Sequence, residues 1–139
     1  MKRRNFIKKG CAACAGLAGL SFLLESCGSS LPIFKTTPEK KLLFIPEDKF
    51  TADNHHLLVR SKELENDILL IKNKNDYTAL NMKCTHEGFA LTVTDKQIVC
   101  PAHGSTFDFS GHVTKEPALR PLTTFTTEIK NNTIIIHLP

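Results

Sequence analysis

Cys84-Thr85-His86 and Cys100-Pro101-Ala102-His103 are the two stretches around which this chain is organised. Thirteen residues separate them, Glu87 to Val99, with Thr94-Asp95-Lys96 as a turn signal near the middle. Strands leaving Gly88 and returning to Cys100 set the two stretches side by side at one end of a hairpin. Each then brings one thiol and one imidazole, so the candidate metal ligands are Cys84, His86, Cys100 and His103. A mononuclear zinc site with two Cys and two His usually takes both cysteines from one knuckle and both histidines from another. Mixed pairs suit instead a centre with two inequivalent irons, one taking both thiolates and the other both imidazoles.

The surroundings of the two stretches carry a resemblance. Cys84-Thr85-His86-Glu87-Gly88, Cys100-Pro101-Ala102-His103-Gly104-Ser105, Phe107-Asp108 and Gly111, followed by Pro117-Ala118 and Pro121-Leu122, resemble the Rieske iron-sulfur family over roughly Met82 to Leu122. The resemblance implies a 2Fe-2S cluster with its buried iron on Cys84 and Cys100 and its outer iron on His86 and His103. It further implies that Gly104 shapes the second loop, that Ser105 donates a hydrogen bond to sulfur, and that Pro117 belongs to a loop covering the cluster. High-potential members carry an extra cysteine in each loop, joined as a disulfide, at the positions of Phe89 and Ala102, and a tyrosine at the position of Phe107. One hydrogen-bond donor to sulfur is thus missing, and the reduced state loses the stabilisation it gave. The potential is expected below that of quinol-oxidising subunits, yet above the bottom of the family's range of about −150 to +300 mV, because Ser105 remains.

Length and charge limit what else the chain can do. Its 139 residues suffice for one domain with a core. The net charge of +4 comes from the start of the chain, where Lys2, Arg3, Arg4, Lys8 and Lys9 face Glu25 alone. The remainder is balanced, which argues against a nucleic-acid partner, since phosphate binding needs a surplus of Lys and Arg.

Residues 1–26 read as an export signal: a basic start, then an apolar stretch from Gly10 to Leu24. That stretch is shorter than the 20 or so residues a spanning helix needs. Arg3-Arg4-Asn5-Phe6-Ile7-Lys8 resembles a twin-arginine signal, a route for folded proteins that suits a cluster inserted before export. A general secretory signal is the alternative. Leu24-Glu25-Ser26-Cys27 resembles a bacterial lipobox, which makes Cys27 the expected lipidation site and residues 27–40 a tether rich in Ser, Thr and Pro. Lipid anchor or retained leader, either tie places the domain at a membrane surface on the periplasmic side. Cys11 and Cys14 are small hydrophobes in the leader, so only Cys84 and Cys100 remain in the folded part, and neither is left for a disulfide.

The domain is expected over 41–139. Short β-branched or apolar runs at Leu42 to Ile45, His56 to Arg60, Ile68 to Lys72, Tyr77 to Met82, Phe89 to Val93, Gln97 to Cys100, Phe125 to Lys130 and Thr133 to Leu138 read as strands. No segment keeps helical periodicity, so an all-β fold, a small antiparallel sandwich or barrel, is expected. His55, His56, His112 and His137 lack a partner at ligand spacing and read as surface or turn residues.

Three classes of function compete. An oxygenase needs a second, mononuclear iron and a catalytic domain for which about 100 folded residues leave no room. A zinc-binding structural module could use the same four ligands, but Ser105 and the prolines of the covering loop are superfluous for zinc. The favoured reading is one-electron transfer through a Rieske cluster, as a component of an oxidoreductase and not an enzyme by itself. Its expected partner is a redox protein or quinol-oxidising complex, with a cytochrome-type acceptor.

Overall fold

The computed structural model describes residues 31–139, so the twin-arginine-like stretch, Cys11, Cys14 and the lipobox with Cys27 lie outside the described residues. Eleven strands follow in order: β1 Ile33–Lys35, β2 Leu42–Pro46, β3 His56–Arg60, β4 Ile68–Lys72, β5 Tyr77–Asn81, β6 Thr92–Val93, β7 Ile98–Val99, β8 Thr106–Phe107, β9 Val113–Lys115, β10 Thr124–Lys130 and β11 Thr133–His137. A single 3-10 turn, Glu47–Lys49, is the one helical element among the described residues. None of these residues forms a helix long and apolar enough to cross a membrane.

The strands make two sheets. Seven form a nearly closed sheet in the order β1-β3-β4-β5-β10-β11-β2, and four form a smaller one in the order β6-β7-β8-β9. All pairings are antiparallel except β1 with β3, where Ile33 to Lys35 run alongside Leu58 to Arg60. The sheet therefore begins inside the stretch whose Pro and Thr content suggested a tether. Ile33 and Phe34 supply enough apolar surface for three residues of strand between Pro32 and Thr36.

Local chemistry accounts for the joints. Asn131 and Asn132 both take positive φ, 50° and 58°, the conformation a two-residue hairpin of matching twist demands, and they connect β10 to β11. Asn-Asn meets that demand better than most residues because Asn tolerates the left-handed region.

β4 explains how the two sheets become one body. Its Ile68-Leu69-Leu70-Ile71 is a continuous apolar run, all four buried, as expected of a strand covered on both faces. Ile68 and Leu70 belong to a core inside the large sheet with Leu43, Ile45, Val59, Ala79, Ile134 and Ile136. Leu69 and Ile71, one residue out of phase, belong to a second core with Leu80, Met82, Ile98, Phe107, Ala118 and Leu122. Cys84 and Cys100 lie in that second core. The alternation of β4 and β5 thus packs the ligand loops directly on the rigid sheet.

Candidate metal centre

The two ligand loops have the same backbone construction. In the first, the Gly88 N–H donates to the Cys84 carbonyl (2.9 Å) and the Cys84 N–H donates to the Phe89 carbonyl (2.8 Å). In the second, Gly104 donates to Cys100 (2.9 Å) and Cys100 to Ser105 (2.8 Å). A cysteine opens each turn and a glycine four residues later closes it. Gly88 and Gly104 have φ of +79° and +77°, so at both positions a side chain would strain the turn. At Gly104 there is open space around the missing Cβ, and backbone conformation alone requires glycine. The loops differ in where the histidine falls, two residues after Cys84 and three after Cys100.

Burial sorts the four candidate ligands into two pairs. Cys84 and Cys100 are free thiols buried in the second core. Burial pushes the Cys84 thiol above its ordinary value and the Cys100 thiol beside it adds to the rise, while N–H groups of His86 and Glu87 directed at the sulfur act the other way. His86 and His103 stand exposed above them, ring centroids 5.0 Å apart and nearly perpendicular. Donor atoms of His86, Glu87 and His103 all lie within 4.8 Å of one another. Two thiols side by side in apolar surroundings, beneath two imidazoles at the surface, fit a two-iron centre with one iron on sulfur and one on nitrogen. The N–H groups already facing sulfur fit the charge such a centre would carry.

The loop that follows β9 locks onto both turns. Thr85 donates its hydroxyl to the Arg120 carbonyl (2.6 Å), and Ser105 Oγ accepts the Ala118 N–H (2.9 Å). Pro117 lies next to Ala118, in the segment these two bonds hold, and is partly buried. Ser105 is fully buried. Phe107 is fully buried in the second core and offers no hydroxyl. Beyond β8, Asp108 accepts the N–H groups of Ser110 and His112 through Oδ1 (2.8 and 2.9 Å), and Gly111, with φ of +86°, packs against Leu80 and Leu122 so tightly that a Cβ would lie 3.1 Å from Leu80 Cδ2.

Around the imidazoles the surface is partly apolar. Phe89 is 48 % exposed and sets its ring against His103, centroids 5.6 Å apart at 80°. Phe89 and Ala102 carry no thiol, so the described residues contain no disulfide across the loops. Glu87, which the sequence pattern quoted only as a loop residue, extends its carboxylate to 3.6 Å from His103 Nε2. A negative side chain between a candidate ligand histidine and the turn glycine is the signal that marks it. His55, His112 and His137 lie apart from the centre, and His56 stacks on Phe109 at 4.3 Å.

The family model described as Rieske 2Fe-2S domain matches residues 45–126, more than half of the chain. The cytochrome b6-f complex iron-sulfur subunit 2 of Nostoc sp. is 42% identical over 55 residues, 38% of this chain and 31% of that protein. The subunit of the same name from Trichormus variabilis matches equally, so the shared stretch spans less than a third of these relatives' length. Among solved structures, the cyanobacterial plasma membrane Rieske protein of Synechocystis PCC 6803 is 29% identical with a TM-score of 0.50, over 59% of this chain and 85% of that one. A hyperthermophilic respiratory Complex III structure shares the fold at 18% identity and a TM-score of 0.53, over 94% of this chain and 92% of its own. Matched over most of its described residues and built around two equivalent cysteine turns, the chain belongs to the Rieske family of electron-transfer proteins, which carry a Rieske-type 2Fe-2S cluster.

Proposed function

We propose that Cys84, Cys100, His86 and His103 hold the cluster, and that the protein carries single electrons as a membrane-tethered subunit of a respiratory or periplasmic oxidoreductase. The observation that supports this most is the division of the ligands by depth: both thiols buried, both imidazoles exposed. When bound, the cluster supplies reversible one-electron chemistry. The chain's own residues do the rest. N–H groups of His86 and Glu87 face the Cys84 sulfur and favour its thiolate. Ser105, its oxygen already accepting from Ala118, keeps its hydroxyl proton free to donate towards sulfur. Gly104 gives the second turn its conformation, and the loop with Pro117 is bonded to both turns.

Exposed imidazoles with the Phe89 ring set against His103 suit a partner that approaches the histidine end. A quinol-oxidising complex or a redox protein, with a cytochrome-type acceptor, is the partner this reading assigns. Phe107 in place of a hydroxyl-bearing residue supports a potential below that of quinol-oxidising subunits. The tether rests on the sequence ahead of β1, residues 1–32: an export signal, a lipidated Cys27 and a short linker on the outer side of the cytoplasmic membrane or the periplasmic face of the outer one. Labelling cells with a radioactive fatty acid tests it, and label retained in Cys27→Ala overturns it.

The deciding experiment is low-temperature electron paramagnetic resonance on dithionite-reduced protein purified without added metal, with iron and zinc measured on the same sample. A rhombic signal with two irons per chain is expected. A silent sample with one zinc and no iron overturns electron transfer and makes the chain a metal-stabilised binding module.

A further inference from the structure

The turn that presents His86 also fixes the place of Glu87. Its N–H points at the Cys84 sulfur, and the next residue, Gly88, is bonded to the Cys84 carbonyl at 2.9 Å. From that anchored position the side chain crosses to the other ligand loop, where Oε2 lies 3.6 Å from His103 Nε2. His103 thus has a carboxylate at one ring nitrogen, with the His86 and Phe89 rings nearly perpendicular to it at 5.0 and 5.6 Å. Lys83, the nearest base in the sequence, does not offset this charge: its ammonium turns to Glu65, at 2.8 and 2.9 Å from the two carboxylate oxygens.

A contact of 3.6 Å is longer than a hydrogen bond, so the carboxylate acts on the imidazole through its charge and not through a shared proton. Pairs as exposed as this one, 54 % for Glu87 and 39 % for His103, contribute little to stability. The consequence falls on the electron. Reduction adds one electron and no atom to the centre, and a fixed negative charge beside the outer imidazole opposes that addition.

We propose that Glu87 is a positioning and potential-setting residue, holding a negative charge against the Nε2 side of His103 and thereby disfavouring the reduced state. The inference rests on His103 being a ligand of the outer iron. Phe89 sets its ring against the same imidazole, at 80° to it.

The test is a mediator-poised redox titration of the intact, cluster-containing protein at one pH, followed by electron paramagnetic resonance. Glu87→Gln keeps the size of the side chain and removes its charge; Glu87→Ala removes both, and Glu87→Asp keeps the charge. Glu128→Gln is the control, because Glu128 stands at the same 3.6 Å from His137 Nε2 on the large sheet, away from the ligand loops. The ratio of reduced to oxidised centre at a fixed poise is expected to rise several-fold in Glu87→Gln and Glu87→Ala. Glu87→Asp is expected to stay near the parent, and Glu128→Gln to be unchanged. Superimposable titrations for the parent and either uncharged variant overturn the role of Glu87, as does an equal rise in Glu128→Gln. A parent protein without iron or without the rhombic signal overturns the ligand assignment instead, so the two failures are told apart.

Discussion

Ser105 is where the second ligand turn and the loop carrying Pro117 meet. Its oxygen accepts the Ala118 N–H at 2.9 Å, and both residues are fully buried. A hydroxyl has one proton and two lone pairs, so accepting from Ala118 leaves the proton available for a sulfur. Ser105→Ala is expected to act twice. It leaves a buried N–H unpaired, a loss of about 1–3 kcal/mol in urea unfolding, and it lowers the potential by removing a donor to the reduced centre. Loss of stability with an unchanged potential would confine Ser105 to joining the loops. The donor role is suggested by the family pattern alone, whereas the bond to Ala118, thirteen residues away, depends on how β8 and β9 fold back. The contact between Glu87 and His103 could not be read along the chain for the same reason: the two residues lie on different loops.

At the level of elements, legibility followed length and burial. β3 and β4 occupy the residues their β-branched and apolar runs mark, His56–Arg60 and Ile68–Lys72. β8 and β9, two and three residues long, carry no periodicity to read. β1 was masked by its flanking Pro and Thr, and only its parallel partner β3 makes it a strand. β6 and β7 shrink to Thr92–Val93 and Ile98–Val99, since the residues nearer the cysteines are spent on the two turns. β4 also supplies a direct contrast. Leu69 and Leu70 are adjacent and fully buried, but Leu70 faces the core of the large sheet and Leu69 the core that holds Cys84 and Cys100. Leu→Ala at either position is expected to cost about 2–5 kcal/mol. Only Leu69→Ala should also speed the loss of iron to a chelator, measured from the fading visible absorbance of the oxidised protein. Equal rates in the two variants would mean that the ligand loops do not rest on that face of β4.

Across the whole molecule, the two sheets differ in what can hold them together. The seven-stranded sheet has pairings of up to five residues and a core of its own, built from aliphatic side chains with Phe50 and Tyr77. The four-stranded sheet has strands of two or three residues, and the core beneath it includes both cysteines. Binding energy from metal ligation is folding energy for the segments that supply the ligands. Without the cluster, the ligand loops are left with their own turns and with the Thr85–Arg120 and Ser105–Ala118 bonds. Stability should then be uneven, with local opening confined to the unit that lost its link. Hydrogen exchange of protein made with and without iron reads this directly. Amides of Ile98, Val99, Thr106 and Phe107 are expected to exchange at least tenfold faster in the cluster-free form, a difference of about 1.4 kcal/mol in opening, while those of β4, β5, β10 and β11 keep their protection. Equal loss of protection in both sheets would show instead that the double-faced β4 couples them into one cooperative unit. The cluster would then act as a staple for the entire fold, and every substitution that loosens a ligand loop would be felt at the far edge of the large sheet.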